Sequence, residues 1–288
     1  MLRGRYALIT GASLGLGAEI TRHFVAAGAS VMLCARGAEP LEALRAALAP
    51  ALQAGQQIIT KVTDVAVQRD VAALFDTTLA AFPRLDVLVN NAGVYGPMGR
   101  LEETDVGDWV QALGVNLFGT VYCCHAALPV MRRAGYGKII NLSGGGATAP
   151  LPHLSSYAAA KAAVVRLTET IAQEAAEANI DINAVAPGAL ATRLLDAVTD
   201  AGPERVGADF HQRMLKVRED GGTPLAVGAR LCVFLASAAS DGITGKLISA
   251  PWDRWQDWPS HLEALRKSDA YTLRRITGRE RGMPWGDV

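Results

Sequence analysis

Apolar runs and helical patterns alternate along the chain almost to its end. Short runs rich in β-branched residues predict strands at 6–10, 30–35, 58–63, 85–90, 138–142, 181–186 and 246–249. Between them, apolar residues at three- and four-residue spacing predict helices over 16–27, 41–48, 67–82, 106–132 and 155–179, then a pair at 203–219 and 225–236. The strand runs are continuous rather than strictly alternating, as suits a parallel sheet covered on both faces. Repeated strand–helix units of this length predict an α/β fold, a doubly wound parallel sheet of about seven strands with helices on both faces. No shift in composition marks a linker before residue 250, so residues 1–250 read as one domain.

Two helices are apolar around most of their circumference, "WVQALGVNLFGTVYCCHAAL" and "YAAAKAAVVRLTETIA". A helix on a sheet needs only one apolar stripe, so the second face calls for a partner. A helix-to-helix subunit contact, giving a homodimer or homotetramer, is the expectation; burial beneath a neighbouring loop is the alternative.

Composition narrows the partners. Half the residues are hydrophobic, and Lys+Arg and Asp+Glu number 28 each, so no basic surplus points to nucleic acid or an anionic membrane. Cys34, Cys123, Cys124 and Cys232 form no CxxC pair and read as buried small hydrophobes in a reducing compartment. The five histidines show no ligand spacing, so no metal site is expected. The N-terminal apolar run is too short for a signal peptide, and no uninterrupted apolar stretch reaches the roughly 18 residues of a membrane span. A soluble, cytoplasmic protein is the expectation.

Chemistry enters with "YALITGASLGLGAEI", which places Gly11, Gly15 and Gly17 between the first strand and the first helix. Glycines let the backbone approach a pyrophosphate at the helix N-terminus, where free N–H groups and the dipole favour an anion. This context makes residues 1–250 a Rossmann-type, dinucleotide-binding and catalytic domain. The second strand ends "VMLCAR", with Ala35 where an acid would hold the ribose 2′-hydroxyl of NAD, then Arg36. A phosphate partner without a carboxylate favours NADP(H) over NAD(H).

Five motifs now occur in order: TGxxxGxG (Thr10 to Gly17), Asp64-Val65, "NNAG" (Asn90 to Gly93), YxxxK (Tyr157 and Lys161) and "PG" (Pro187-Gly188). Together they resemble the short-chain dehydrogenase/reductase family, in its compact branch, over residues 5 to about 250. The resemblance implies that Asp64 and Val65 hold the adenine and that Ala92 and Gly93 line the ribose. It also implies that Thr192 touches the nicotinamide amide or a phosphate. Ser13, Leu14, Leu16, Asn91, Pro187 and Gly188 complete the cofactor contacts it implies, with Lys161 on the nicotinamide ribose and Tyr157 beside it.

Tyr157 and Lys161 lie one helical turn apart on one face. A cation about 4 Å from the phenol, at an effective dielectric of about 20, is worth about 4 kcal/mol. That is enough to lower a tyrosine pKa by up to about three units before desolvation takes some back. The expectation is a general acid/base and its tuner. In the family a serine thirteen residues before the tyrosine supplies a second donor; here that position is Gly144 and Ser143 is fourteen back. Ser143 fills the role if the glycine run absorbs one residue, with Ser155 or Ser156 as alternatives. Asn116 matches the family's helix asparagine, which bends the helix around a water feeding the lysine.

The resulting expectation is an oxidoreductase that interconverts a ketone or aldehyde and an alcohol by direct hydride transfer, without metal, through Asn116, Ser143, Tyr157 and Lys161. Its small-molecule substrate is a sugar, acyl-type, steroid-like or aromatic ketone, and the pocket is expected at 95–98, 145–154 and 190–195. A cofactor-binding regulator without turnover is the competing reading. Residues 251–288 form a C-terminal extension with four of the five tryptophans and arginines at 274, 275, 279 and 281. It is expected to pack on the domain or on a neighbouring subunit. Trp252, Trp255 and Trp258 are expected packed along a subunit interface, with the arginines reaching a neighbouring active-site mouth; packing on the chain's own surface with no ligand role is the alternative.

Overall fold

The structure is a computed structural model and describes residues 1–283 and Trp285. Seven parallel strands, β1 (Tyr6–Thr10), β2 (Ser30–Ala35), β3 (Ile58–Val62), β4 (Val87–Asn90), β5 (Gly137–Leu142), β6 (Ile180–Ala186) and β7 (Leu247–Ser249), lie in the order β3-β2-β1-β4-β5-β6-β7. The helices are α1 (Gly15–Ala26), α2 (Ala38–Leu48), α3 (Gln68–Ala81), α4 (Val106–Leu113), α5 (Gly119–Ala134) and α6 (Ser155–Glu174). After β6 follow α7 (Arg193–Ala201), α8 (Pro203–Val206), α9 (Ala208–Asp220), α10 (Leu225–Ala236) and, past β7, α11 (Leu262–Lys267).

The continuous apolar strands are explained by two cores. Ala7, Ile9, Val31, Leu33, Val87 and Val89 pack on one face with Phe24 of α1 and Phe234 of α10. Leu8, Met32, Leu88 and Ile139 point the other way, onto Leu74 of α3 and Met131 of α5. The four cysteines are buried free thiols. Strand β1 is flanked by β2 on one side and β4 on the other. The winding reverses there, opening a crevice at the strands' carboxyl ends.

Three helical expectations change. The helix expected over 106–132 is α4 and α5 joined by a π turn at Gly114–Phe118. The one expected over 203–219 breaks at Gly207, whose φ of 83° is left-handed, into α8 and α9. Helix α7 was not anticipated. The span Val106–Ala134 is long and apolar enough by composition to cross a membrane, yet its Cys123, Cys124, Ala127 and Met131 belong to the sheet's core. Its outer side leaves Val106, Val110 and Phe118 exposed. Helix α4 meets the head of α6, where Trp109 Nε1 donates to Ser155 Oγ at 3.0 Å.

The extension packs on its own chain. Trp255 and Trp258 join the α1/α10 core, with Trp255 5.1 Å from the Phe234 ring. Trp252 is 83% exposed on its own chain, standing on the turn just after β7 rather than in the segment that folds back over α10. Beyond α11 the chain runs beside β7, the open edge of the sheet. Leu247 N donates to Tyr271 O at 2.8 Å, and Lys246 Nζ to Ser268 O and Ala270 O at 3.1 and 2.9 Å. An edge strand left bare invites pairing with another chain, and this one is partly capped. Arg274 is held within the extension by Asp269 and Glu280, each at 2.7 Å. Residues 284 and 286–288 of the expected extension lie outside the described residues.

Candidate active site

The turn between β1 and α1 admits no side chains at two of its glycines. A Cβ on Gly17 would lie 2.1 Å from the Gly11 carbonyl oxygen, and one on Gly11 2.7 Å from Ala92 Cα. The neighbouring loop is tied to the same turn. Asn91 Nδ2 donates to Thr10 O and Gly11 O at 3.0 Å, and Thr10 Oγ1 accepts from Asn91 N and Ala92 N. Helix α1 starts without a side-chain cap or an acid in its first turn. Its free N–H groups and positive dipole end therefore face outward, a fit for a dinucleotide's phosphates.

Two adjoining cavities open here. The smaller, about 290 Å³, is lined by Gly11, Ser13, Asp64, Val65 and Ala92. The larger, about 950 Å³, is lined by Gly15, Leu16, Gly17, Asn91, Ser143, Tyr157, Lys161, Pro187, Gly188 and Thr192. Leu14, Arg36 and Gly93 line both. Every residue assigned from sequence to cofactor or catalysis thus borders this crevice except Asn116, which is fully buried. Arg36 has no ion-pair or hydrogen-bond partner among the described residues. The Asp64 carboxylate accepts from Ala66 N at 3.0 Å, shaping its own turn.

At the catalytic end the phenol of Tyr157 lies directly over Gly144: a Cβ there would stand 2.2 Å from the hydroxyl. The position thirteen residues before the tyrosine therefore has no room for a side chain. One residue earlier, Ser143 is 4% exposed and its hydroxyl has no hydrogen-bond partner among the described residues. Both other serines are engaged, Ser155 by Trp109 and Ser156 by donating to Tyr95 O at 3.3 Å. Asn116 sits in the π turn; it accepts from Val94 N at 3.2 Å and donates to Val94 O and Ala112 O at 2.7 and 2.9 Å. It thereby ties the α4–α5 junction to the loop carrying Gly93, where a Cβ would come 2.9 Å from the Asn116 oxygen and 3.6 Å from Lys161 Nζ.

A family model described as short chain dehydrogenase matches residues 5–202. L-fucose dehydrogenase of Oryctolagus cuniculus is 37% identical over 238 residues, covering 82% of this chain and 80% of that one. Cis-4-hydroxycyclohexanecarboxylate dehydrogenase of Sinomonas cyclohexanicum is 36% identical over 250 residues, 85% and 94% of the two chains. Levodione reductase superposes with a TM-score of 0.79 at 28% identity, over 90% of this chain and 99% of that one. A 7α-hydroxysteroid dehydrogenase complexed with NADH and 7-oxo glycochenodeoxycholic acid gives a TM-score of 0.76 at 29% identity, over 86% and 93%. This chain is a short-chain dehydrogenase. It is an oxidoreductase of alcohols and ketones, in a family that binds a nicotinamide cofactor.

In this short-chain dehydrogenase the electrostatics of the acid differ from the sequence expectation. Burial, with a smaller contribution from Tyr95, raises the Tyr157 pKa well above 10 instead of bringing it toward 7. Burial also lowers Lys161 to about 8. Lys161 Nζ donates to Leu142 O at 2.8 Å and stands 5.6 Å from the centre of the Tyr157 ring. Desolvation disfavours the charged form of each group.

The pocket side was only partly legible. Tyr95, whose ring meets Tyr157 edge-on at 4.7 Å, lines the cavity, as do Gly145, Thr148, Leu151, Leu190, Leu194 and Leu195. Sequence reasoning missed Phe210, Met214 and Val217 of α9 and Asp253, Tyr271 and Thr272 of the extension. Helix α9 has no buried residue, so its pattern gave no signal. Arg193, at the head of α7, lines both cavities.

Proposed function

We propose that this short-chain dehydrogenase interconverts a secondary alcohol on a ring and its ketone with NADP(H). The observation that carries the catalytic part is the pair of hydroxyls bordering one cavity, Tyr157 over Gly144 and Ser143 without a partner among the described residues. When bound, the nicotinamide supplies or accepts the hydride at the substrate carbon. Tyr157 gives its phenolic proton to the carbonyl oxygen as that oxygen gains negative charge, and takes it back from the alcohol in the reverse direction. A tyrosine phenol is protonated at neutral pH and so has a proton to give a ketone. Ser143 Oγ donates to the same oxygen, where stabilisation counts most as charge develops. Lys161 holds the cofactor ribose, and Asn116 is a positioning residue that sets the Gly93 loop against Lys161.

Arg36 supports NADP(H), since it borders both cavities without an ion-pair partner among the described residues and Ala35, not an acid, stands at the end of β2. The ring reading rests on the cavity's apolar wall, with Leu151, Leu190, Leu194, Phe210 and Met214, and on relatives whose names carry a hydroxycyclohexane and a hydroxysteroid. The exposed outer face of α4 and α5 is the seat for a second copy, giving a homodimer or homotetramer. Titrating the protein with NADPH and NADH by fluorescence, then assaying cyclic ketones with the tighter one, tests this reading. NADPH should bind at least tenfold more tightly, and equal affinities would remove the cofactor assignment.

A further inference from the structure

The larger cavity has a single carboxylate on its wall among the described residues, Asp253. It comes from the extension, in the turn that follows β7. Ser249 N donates to Asp253 Oδ2 at 2.7 Å, and Asp253 N donates back to Ser249 O at 3.1 Å. The turn is anchored from behind, where Trp255 Nε1 donates to Ala250 O at 3.2 Å and its ring is buried against Phe234. Asp253 Oδ1 has no hydrogen bond or ion pair among the described residues. Burial raises the Asp253 pKa, opposed by the Ser249 bond. The carboxylate is thus held rigidly, partly desolvated, with one oxygen left to accept.

Two aromatic rings of the extension, Trp252 and Tyr271, border the same cavity. Trp252 is largely exposed, which is unusual for so apolar a side chain. Tyr271 is fixed by its carbonyl on β7 and by its ring, 4.4 Å from that of Trp258. A carboxylate beside exposed aromatic faces accepts a hydroxyl donor while apolar C–H groups cover the rings. An anionic substituent would be repelled there.

Resting on the ring-alcohol reading above, we propose that the substrate ring bears a second hydroxyl away from the reacting carbon, that this hydroxyl donates to Asp253 Oδ1, and that Trp252 and Tyr271 cover the ring's C–H faces. The extension is then a specificity element of its own chain's site. Preferred substrates are cyclic diols, sugars or hydroxysteroids, and rings bearing a carboxylate are disfavoured.

The test compares cyclohexanol, 1,4-cyclohexanediol, 4-hydroxycyclohexanecarboxylate and 4-aminocyclohexanol. Wild type should favour the diol over cyclohexanol by about tenfold in kcat/KM, the scale of one hydrogen bond to a charged group, with the carboxylate poorest. Asp253→Ala should erase the diol preference, and Asp253→Asn, which keeps an acceptor for Ser249 N, should reduce it. Both should leave cyclohexanol turnover and NADPH affinity within about twofold, a result that a merely structural turn would not give. Equal use of diol and cyclohexanol, a diol preference surviving in Asp253→Ala, a lead for the carboxylate, or an amine advantage that Asp253→Ala leaves intact would overturn the proposal. If wild type oxidises none of the four, the ring-alcohol reading fails. Quenching of bound NADPH fluorescence by the same compounds still reports whether Asp253 selects the diol.

Discussion

The two ends of the central sheet treat charge in opposite ways. At the amino ends, Asp86 accepts from Tyr6 N at 2.9 Å, from Arg84 at 2.8 Å and from Arg5 at 3.3 Å. Beside it Lys138, 2% exposed, lies between Asp181 at 2.6 Å and Asp241 at 2.7 Å. At the carboxyl ends Lys161, 4% exposed, has a backbone carbonyl and, among the described residues, no carboxylate. Ser143 has no partner, and Arg36 and Arg193 form no ion pair among the described residues. Two lysines are equally buried, yet one is neutralised by its own chain and the other carries a lowered pKa. A buried charge that the fold needs is paired. One that the fold leaves uncompensated in a cleft marks the working end.

The sharpest break of this contrast is Tyr157→Phe, which removes the proton and little volume. We expect kcat to fall by more than about 10³-fold, over 4 kcal/mol, with NADPH affinity unchanged. Retention of more than a few per cent of activity would remove Tyr157 from its role. At the opposite end, Lys138→Met strands Asp181 and Asp241 and should cost about 3 kcal/mol of stability with kcat per folded molecule intact. A urea melt with no shift would show that the pairing there is idle.

Lys161 carries a pH signature. Its folded pKa of about 8 lies below the ordinary 10.5. Between those values the unfolded chain keeps a proton that the folded chain has lost, so stability rises with pH across the window and the penalty is complete below pH 8. Relative to Lys161→Met, wild type should gain up to roughly 3 kcal/mol between pH 8 and 10.5, as read from denaturation midpoints. A flat difference would mean that the lysine is not desolvated. Ser143→Ala should lower kcat by about 10²-fold, the effect of one lost oxyanion donor, and Ser156→Ala by far less; the reverse ranking would move the donor to α6. The smallest effect is expected from Arg36→Ala, about tenfold on NADPH and none on NADH, and equal losses would assign Arg36 to a phosphate shared by both.

The glycine turn, the loop at 90–93, Tyr157 and Lys161 were legible because each is fixed by local spacing within one strand–helix unit. Ser143 was one of three candidate serines in the sequence, and the proposal favours it because Ser155 and Ser156 are engaged by Trp109 and Tyr95 through contacts that no spacing encodes. Burial of Trp255 and Trp258 followed from their size, whereas the exposure of Trp252 depended on where the turn after β7 places it.

Sequence by itself determined the parallel sheet, the order of its units and the dinucleotide cradle, since hydrophobic periodicity and glycine sterics act over a few neighbouring residues. Only the tertiary structure decided how deeply Tyr157 and Lys161 are buried, and hence that desolvation raises the Tyr157 pKa. It alone brought Asp253 and Tyr271 from the chain's end to the wall of a cavity begun at residue 14. Solvation and long-range contact depend on what the rest of the chain packs around a group, and that is not written in the residues beside it.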